Sequence, residues 1–327
     1  MYRLLLLVRN NYLLLFAISI TFALSGQTPR KVGTETITSF KHQPRNTSKH
    51  QQFTFNQERF RSFDGTNNNL QHPKWGATDI ILKRELPSAY GSSDPLNSLA
   101  GATRKSAREI SNILCEQPAT ATSTNNLSSF VFTWGQFIDH DITLTGEGHT
   151  EEAPIFLPTN ENAFAIPIRF MRSEVMPGTG ATSPREQMNL ITSWLDASMV
   201  YGSDPTRASW LRTYRDGKLK ASTGNLLPYN TNNGEQQGTI DPNAPSMATI
   251  PGSAPYHFVA GDVRANEQPG LTALHTLFLR EHNRYCDQLK RNGYRNDERI
   301  YQRARKWVGA LIQSITCLLY TSDAADE

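Results

Sequence analysis

The sequence predicts a mainly α-helical domain with long loops and few short strands. Three observations carry that expectation. Residues 271–289 place Leu271, Leu274, Phe278, His282 and Leu289 on one side at helical intervals. Residues 299–316 do the same with Ile300, Ala304, Val308, Leu311 and Ile315. Strand-like alternation is scarce, a short stretch at 165–170 being the best instance, and no internal repeat is present. At 327 residues the chain holds one large domain or two ordinary ones, and a 38% hydrophobic content supplies a core. A formal net charge of +3 makes no case for a nucleic-acid partner.

Residues 1–26 read as a secretory signal: Arg3 and Arg9 precede a compact apolar run, and Ala23-Leu-Ser-Gly26 supplies small residues for cleavage. That run falls short of the roughly 20 residues a membrane span needs, so no span is expected after cleavage. An extracellular chain follows, and the sequons Asn46-Thr-Ser and Asn126-Leu-Ser fit that compartment. Residues 27–59 are polar, basic and without apolar periodicity, as in a disordered pro-segment. With only Cys115, Cys286 and Cys317, no disulfide framework supports the fold.

Ordered sequence is expected from residue 60. A helix over 102–115 would turn Ala107, Ile110 and Leu114 inward. The polar run 120–126 offers N-caps for the next helix, which contains Trp134-Gly-Gln-Phe-Ile-Asp-His-Asp141. There Val131, Trp134 and Ile138 share an apolar face, with Phe130 and Phe137 alongside, while Gln136, Asp139 and His140 share a second. An amide, a carboxylate and an imidazole on one stripe of a greasy helix form a buried polar network or address a ligand. Both readings stand on these residues alone, and a metal site using His140, Asp141 and His149 matches no common spacing.

Beyond Asp141 the chain is loop-rich, with a mildly amphipathic run at 186–195 leading into Asp196-Ala-Ser-Met-Val-Tyr-Gly-Ser203. Residues 214–255 are rich in Gly, Asn and Pro and too long for an idle connector. In Val259-Ala-Gly-Asp-Val-Arg-Ala-Asn-Glu-Gln268, Arg264 and Glu267 stand in a short link before the long helix, whose first turn Pro269 fits. An ordinary surface Arg–Glu pair is the plainer account of that link.

Four segments together narrow the choice. Trp134-Gly-Gln-Phe-Ile-Asp-His-Asp141, Leu195-Asp-Ala-Ser-Met-Val-Tyr-Gly-Ser203, Ala260-Gly-Asp-Val-Arg264 with Glu267, and His275-Thr-Leu-Phe-Leu-Arg-Glu-His-Asn-Arg284 resemble the animal haem peroxidase family, in its order and with its loop sizes. The resemblance covers residues 60–316 and implies that family's helical fold and a haem enzyme that reduces hydrogen peroxide and oxidises halide, thiocyanate or small phenolic donors.

By that resemblance His140 is the distal histidine, a proton acceptor and donor near neutral pH. Arg264 is the distal arginine, favouring the negative charge that develops as the O–O bond breaks. Gln136 holds water or halide. Asp139 and Glu267 match the carboxylates that form ester links to haem; the competing role for both is to orient His140 and Arg264 by hydrogen bonds. The family also implies a calcium site from Asp141, Thr192, the Trp194 carbonyl, Asp196 and Ser198, hard oxygen ligands of the kind that cation takes. Gln268 departs from the methionine that myeloperoxidase links to a haem vinyl group, which points to donors easier to oxidise than chloride.

His275, Glu281 and His282 lack the His-Glu-x-x-His spacing and read as packing and salt-bridge residues of a core helix. The family's proximal haem ligand belongs after residue 316, where no histidine occurs, and residues 317–327 do not continue the pattern. The expectation is therefore a distal part of a peroxidase domain over 60–316 with a non-family tail. From a different class, a non-catalytic extracellular or matrix-associated protein, or an inactive fragment, stays open.

Overall fold

The computed structural model describes residues 58–100, 104–117, 119, 127–249 and 253–321. The expected leader, the pro-segment to residue 57, both sequon asparagines, the cap run 120–126 and residues 322–327 of the tail lie outside the described residues. Residues 61–122 and 131–314 form the compact unit that carries the architecture below; a second unit comprises 1–60, 123–130 and 315–327. Of that second unit only 58–60, 127–130 and 315–321 are described.

In chain order the elements are β1 (Ile80–Ile81), α1 (Ala107–Cys115), α2 (Phe130–Asp139), β2 (Glu147–Glu152), β3 (Met171–Ser173), β4 (Met188–Asn189), α3 (Ser198–Tyr201), α4 (Pro205–Trp210), α5 (Pro269–Arg291) and α6 (Asp297–Thr321). The protein is mainly helical, as its periodicity requires. β1 pairs antiparallel with β4, Ile80 opposite Asn189. β2 pairs antiparallel with β3, with an irregularity between Glu147 and Glu152.

The core forms where α5 meets α6 and α2. Gln268 caps α5, its side chain accepting from the Gly270 N–H at 2.8 Å, and Pro269 occupies the first turn as expected. Leu271, Leu274, Phe278, His282 and Leu289 are all buried. On α6, Ile300, Ala304 and Val308 are fully buried, but the row continues through Ile312 while Leu311 and Ile315 stay half-exposed. Successive steps of four residues carry the buried ridge, whereas the expected pattern switched to a step of three. Cys286 and Leu289 pack against Ile300 and Ala304, and burying a side chain the size of Leu289 or Ile300 contributes about 1.5–3 kcal/mol. On α2, Trp134 and Phe137 are buried against α5, the Phe137 and Phe278 rings stacking at 5.3 Å.

Two expectations are corrected. α1 begins at Ala107 with Ser106 as its cap, and its apolar stripe does not face inward: Ile110 is 43% and Leu114 75% exposed. Among the described residues Arg108 and Asn112 hold this helix instead, through hydrogen bonds to Glu161. No strand spans 165–170; Ile168 makes one isolated bridge to Ile155 and the strand starts at Met171. Its partner β2, Glu-Gly-His-Thr-Glu-Glu, has no apolar alternation, so nothing in its composition marked it. The amphipathic run 186–195 forms β4 and irregular backbone.

None of the three cysteines is in a disulfide; Cys286 is buried and Cys115 and Cys317 are exposed. Among the described residues no helix is long and apolar enough to cross a membrane.

Candidate functional site

α2 delivers His140 one residue past its end, where the backbone N–H still donates to the Gln136 carbonyl at 3.1 Å. The imidazole is 4% exposed. Arg264 sits in the turn before α5, its backbone carbonyl accepting from Glu267 N–H at 3.0 Å. What brings these distant positions together is Asp262, a buried carboxylate to which the sequence alone assigns no role. Its Oδ1 accepts from Arg264 Nε and its Oδ2 from Arg264 Nη2, both at 2.9 Å. Oδ1 also lies 3.7 Å from His140 Nδ1 and takes the Arg264 backbone N–H at 2.8 Å. A fork gripping one carboxylate through two nitrogens is a strong, charge-assisted arrangement, and removing one member of such a buried pair costs about 3–5 kcal/mol.

Burial pulls the His140 pKa below its usual value, Asp262 and Asp139 opposing and Arg264 assisting. Burial pushes the Asp262 carboxyl up, but the hydrogen bonds and charge of Arg264 outweigh it and hold the group below its ordinary range.

The flanking carboxylates do not perform the orienting role weighed for them. Asp139 is largely exposed, its Oδ2 3.7 Å from Arg264 Nη1, beyond hydrogen-bond reach. Glu267 accepts from Gln136 Nε2 at 2.7 Å rather than touching Arg264, and Gln136 Oε1 in turn accepts from Gln268 Nε2 at 3.2 Å. Arg264 therefore pairs with Asp262, and the alternative of a surface Arg–Glu pair is not formed. Partial burial, with Asp262 adding, holds Glu267 above its usual range against the pull of Arg264 and Gln136. Two exposed carboxylates thus lie beside the site, Asp139 near the Arg264 guanidinium and Glu267 on the Gln136 amide.

The second group of predicted residues also converges. Asp141 is fully buried; its Oδ2 accepts from the Ala197 N–H at 2.9 Å and its Oδ1 from the Ser198 hydroxyl at 2.7 Å. Asp196 Oδ1 accepts from the Thr192 hydroxyl and the Ser198 N–H, both at 3.1 Å, while its Oδ2 is buried with no partner. Ala197 between them takes a left-handed backbone, φ +67°, which turns its N–H onto Asp141. The Trp194 carbonyl accepts from the Asp196 N–H at 2.8 Å. Burial and the charge of Asp196 push the Asp141 carboxyl well above its normal range. Two buried carboxylates, one with an orphaned oxygen, amid hydroxyl and carbonyl oxygens form a donor set that fits a hard divalent cation. Among the described residues no group of three or more His, Cys, Asp or Glu side chains is placed to hold a metal ion, so an ion here would draw on those neutral oxygens as well as the two carboxylates.

His282 and Glu281 hold the core together, as their spacing implied. Glu281 receives Arg284 through two nitrogens, at 2.7 and 2.8 Å, and the Trp307 indole N–H at 2.7 Å. Asn189, another residue without a sequence role, secures the chain just after His140: it donates to the Ile142 carbonyl and accepts from the Leu144 N–H.

The family model for animal haem peroxidases matches residues 60–323. Thyroid peroxidase of Sus scrofa is 36% identical over 312 residues, covering 79% of this chain and 32% of the relative. Peroxidasin of Drosophila melanogaster is 35% identical over 306 residues, 79% of this chain and 19% of the relative. The chain thus spans a third or less of the length of these curated relatives. Among solved structures, peroxidase A from Dictyostelium discoideum superposes with a TM-score of 0.65 at 26% identity, covering 81% of this chain and 52% of that one. A fatty acid alpha-dioxygenase of Arabidopsis thaliana shares the fold, with a TM-score of 0.56 at 24% identity.

Proposed function

The chain belongs to the animal haem peroxidase family, and from that premise we propose that it is the distal part of a secreted peroxidase, reducing hydrogen peroxide and oxidising halide, thiocyanate or small organic donors. Membership implies haem, which when bound supplies the two-electron chemistry that cleaves the O–O bond. The observation that carries the reading is the convergence of His140 and Arg264 on one buried carboxylate, beside the surface that Asp139, Gln136 and Glu267 share.

In this reading His140 takes the proton from the attacking oxygen of hydrogen peroxide and returns one to the leaving oxygen, which departs as water. Arg264 presents a fixed positive charge to the oxygen on which negative charge develops, and because Asp262 already grips the guanidinium, little reorganisation accompanies the step. Gln136 positions water or halide. Asp139 and Glu267 would hold the haem through their carboxyl groups.

Calcium is the ion proposed for Asp141, Thr192, Trp194, Asp196 and Ser198. With Asp141 adjacent to His140, the ion would fix the backbone that presents the imidazole. Secretion rests on the leader at 1–26.

The test is His140→Ala in the full-length, haem-loaded protein. We expect the reaction with peroxide to slow by roughly 10²- to 10⁴-fold while the Soret band keeps its intensity. An unchanged rate would remove the histidine from the mechanism, and a protein that takes up no haem would belong with the non-catalytic, matrix-associated alternative.

A further inference from the structure

We propose that Asp262 is a positioning residue for the peroxide reaction: a single carboxylate that locks the guanidinium of Arg264 and selects the ring tautomer of His140. The inference rests on the peroxidase reading for its consequence but on the geometry for its substance.

The His140 ring has two nitrogens that can exchange roles. Nδ1 is buried and has no partner at hydrogen-bond distance; the group it faces is Asp262 Oδ1, 3.7 Å away. A carboxylate accepts and cannot donate at neutral pH, so the neutral ring is favoured with its proton on Nδ1, toward that charge. Nε2 is then the atom with a free lone pair, as a proton acceptor needs. The same carboxylate holds Nε and Nη2 of Arg264, leaving Nη1 as the guanidinium nitrogen outside its grip. Proton acceptor and positive charge are thereby indexed to one another through one side chain.

Asp262 can do this only if it is itself fixed, and its backbone is. The Asp262 N–H donates to the Met199 carbonyl of α3 at 3.0 Å. Its neighbour Gly261 lies so close to α3 that a Cβ there would come within 2.5 Å of three backbone atoms, Gly202 N, Ser198 O and Tyr201 N. No side chain fits at 261 without moving the link, so the glycine is what lets Asp262 seat against the helix. Asp262 is 2% exposed, which removes the solvent that would otherwise loosen its contacts.

Two measurements test this. Solid-state NMR of ring-¹⁵N-histidine-labelled, haem-free protein at about pH 8, above the usual histidine range, with His140 assigned through His140→Gln, should show Nδ1 protonated and Nε2 bare. The opposite tautomer overturns the proposal. In the haem-loaded protein, Asp262→Asn should weaken cyanide binding and slow the peroxide reaction by roughly 10- to 100-fold, the usual effect of losing an orienting partner. The KM for the electron donor should be unchanged. Wild-type cyanide affinity and peroxide rate in that variant overturn the proposal. Should the variant fail to fold, the tautomer in the unaltered protein decides. If the unaltered protein does not react with peroxide at all, the peroxidase reading falls, while the tautomer still decides whether Asp262 orients His140.

Discussion

His282 should make the fold sensitive to acid in a way that one substitution can isolate. Its Nε2 lies 2.8 Å from the Gly217 carbonyl, which can only accept, so Nε2 carries the proton; Nδ1 then accepts from the Tyr201 hydroxyl at 2.8 Å. Both ring nitrogens of the neutral form are satisfied in a site with no access to water. Burial holds the pKa at about 4, against an ordinary value of 6.5. Because the folded value is depressed, the stabilisation is fully present above 6.5 and is lost as pH falls toward 4: the unfolded chain binds a proton that the folded chain refuses. From about pH 7 to about pH 5 the unfolded form gains roughly 1.5 pH units of protonation free energy, or about 2 kcal/mol. His275, also held at about 4 by burial, doubles that slope. Against a typical net stability of about 5–15 kcal/mol, the two together decide whether the fold survives mild acid. Chemical denaturation at several pH values should show wild-type stability falling about 2 kcal/mol further over this window than that of His282→Gln, whose amide cannot titrate. Stopping near pH 5 keeps the salt-bridged Glu161 carboxyl, held at about 2, out of the difference. Parallel slopes in the two proteins would refute the reasoning.

Two further outcomes follow from the same geometry. Removing the proposed calcium with a chelator should leave Asp141 and Asp196 as uncompensated neighbours; for an ion present at about 100 times its Kd the loss is about 2.7 kcal/mol, or roughly 5–10 °C in Tm, and a melting curve indifferent to chelation would count against the ion. Ile312→Ala should destabilise by about 2–5 kcal/mol, as expected for a fully buried aliphatic residue, and Leu311→Ala by distinctly less; equal effects in denaturant melts would mean the buried ridge of α6 follows a different row.

Much of this was legible in the chain because the long helices repeat their apolar residues often enough for the 3.6-residue period to average out single exceptions. The stripe of α5 was read correctly residue by residue, down to Pro269 in its first turn. α1 was misread for the complementary reason: a stripe records that a helix can bury a face, not that a neighbour arrives to cover it, and Leu114 stays 75% exposed. β2 exists through backbone pairing and through ion pairs such as Arg185 with Glu151 at 2.5 Å, contacts that leave no periodic trace. At the site, types of residue were readable and pairings were not. Gln136, Asp139, His140, Arg264 and Glu267 stand out by residue type and the fold brings them near one another, but which carboxylate meets which base depends on approach between segments distant in sequence. Asp262 stood two residues before Arg264 in an apolar context, Val259-Ala-Gly, and an acid in such surroundings was the available signal.

That mispairing has a structural logic. α3 is four residues long and carries no charge, yet both halves of the site are referenced to it. From one side Asp141, next to His140, receives the Ala197 N–H and the Ser198 hydroxyl. From the other, the Asp262 N–H reaches the Met199 carbonyl, with Gly261 seated against the helix backbone. The position of His140 relative to Arg264 is therefore set by short, buried contacts to one rigid turn, not by the long segment 214–255 that connects α4 to the link. Chemistry of the kind proposed tolerates little error, since a displacement of about 1 Å can lower a rate by roughly 10²-fold. Anchoring two distant segments to the same few backbone atoms keeps that error small while leaving the intervening loop free to vary. It also explains why the acid that unites the site had to be the one beside the glycine: of the carboxylates near Arg264, Asp139 and Glu267 are the exposed ones, and a largely solvated side chain cannot hold two partners in register.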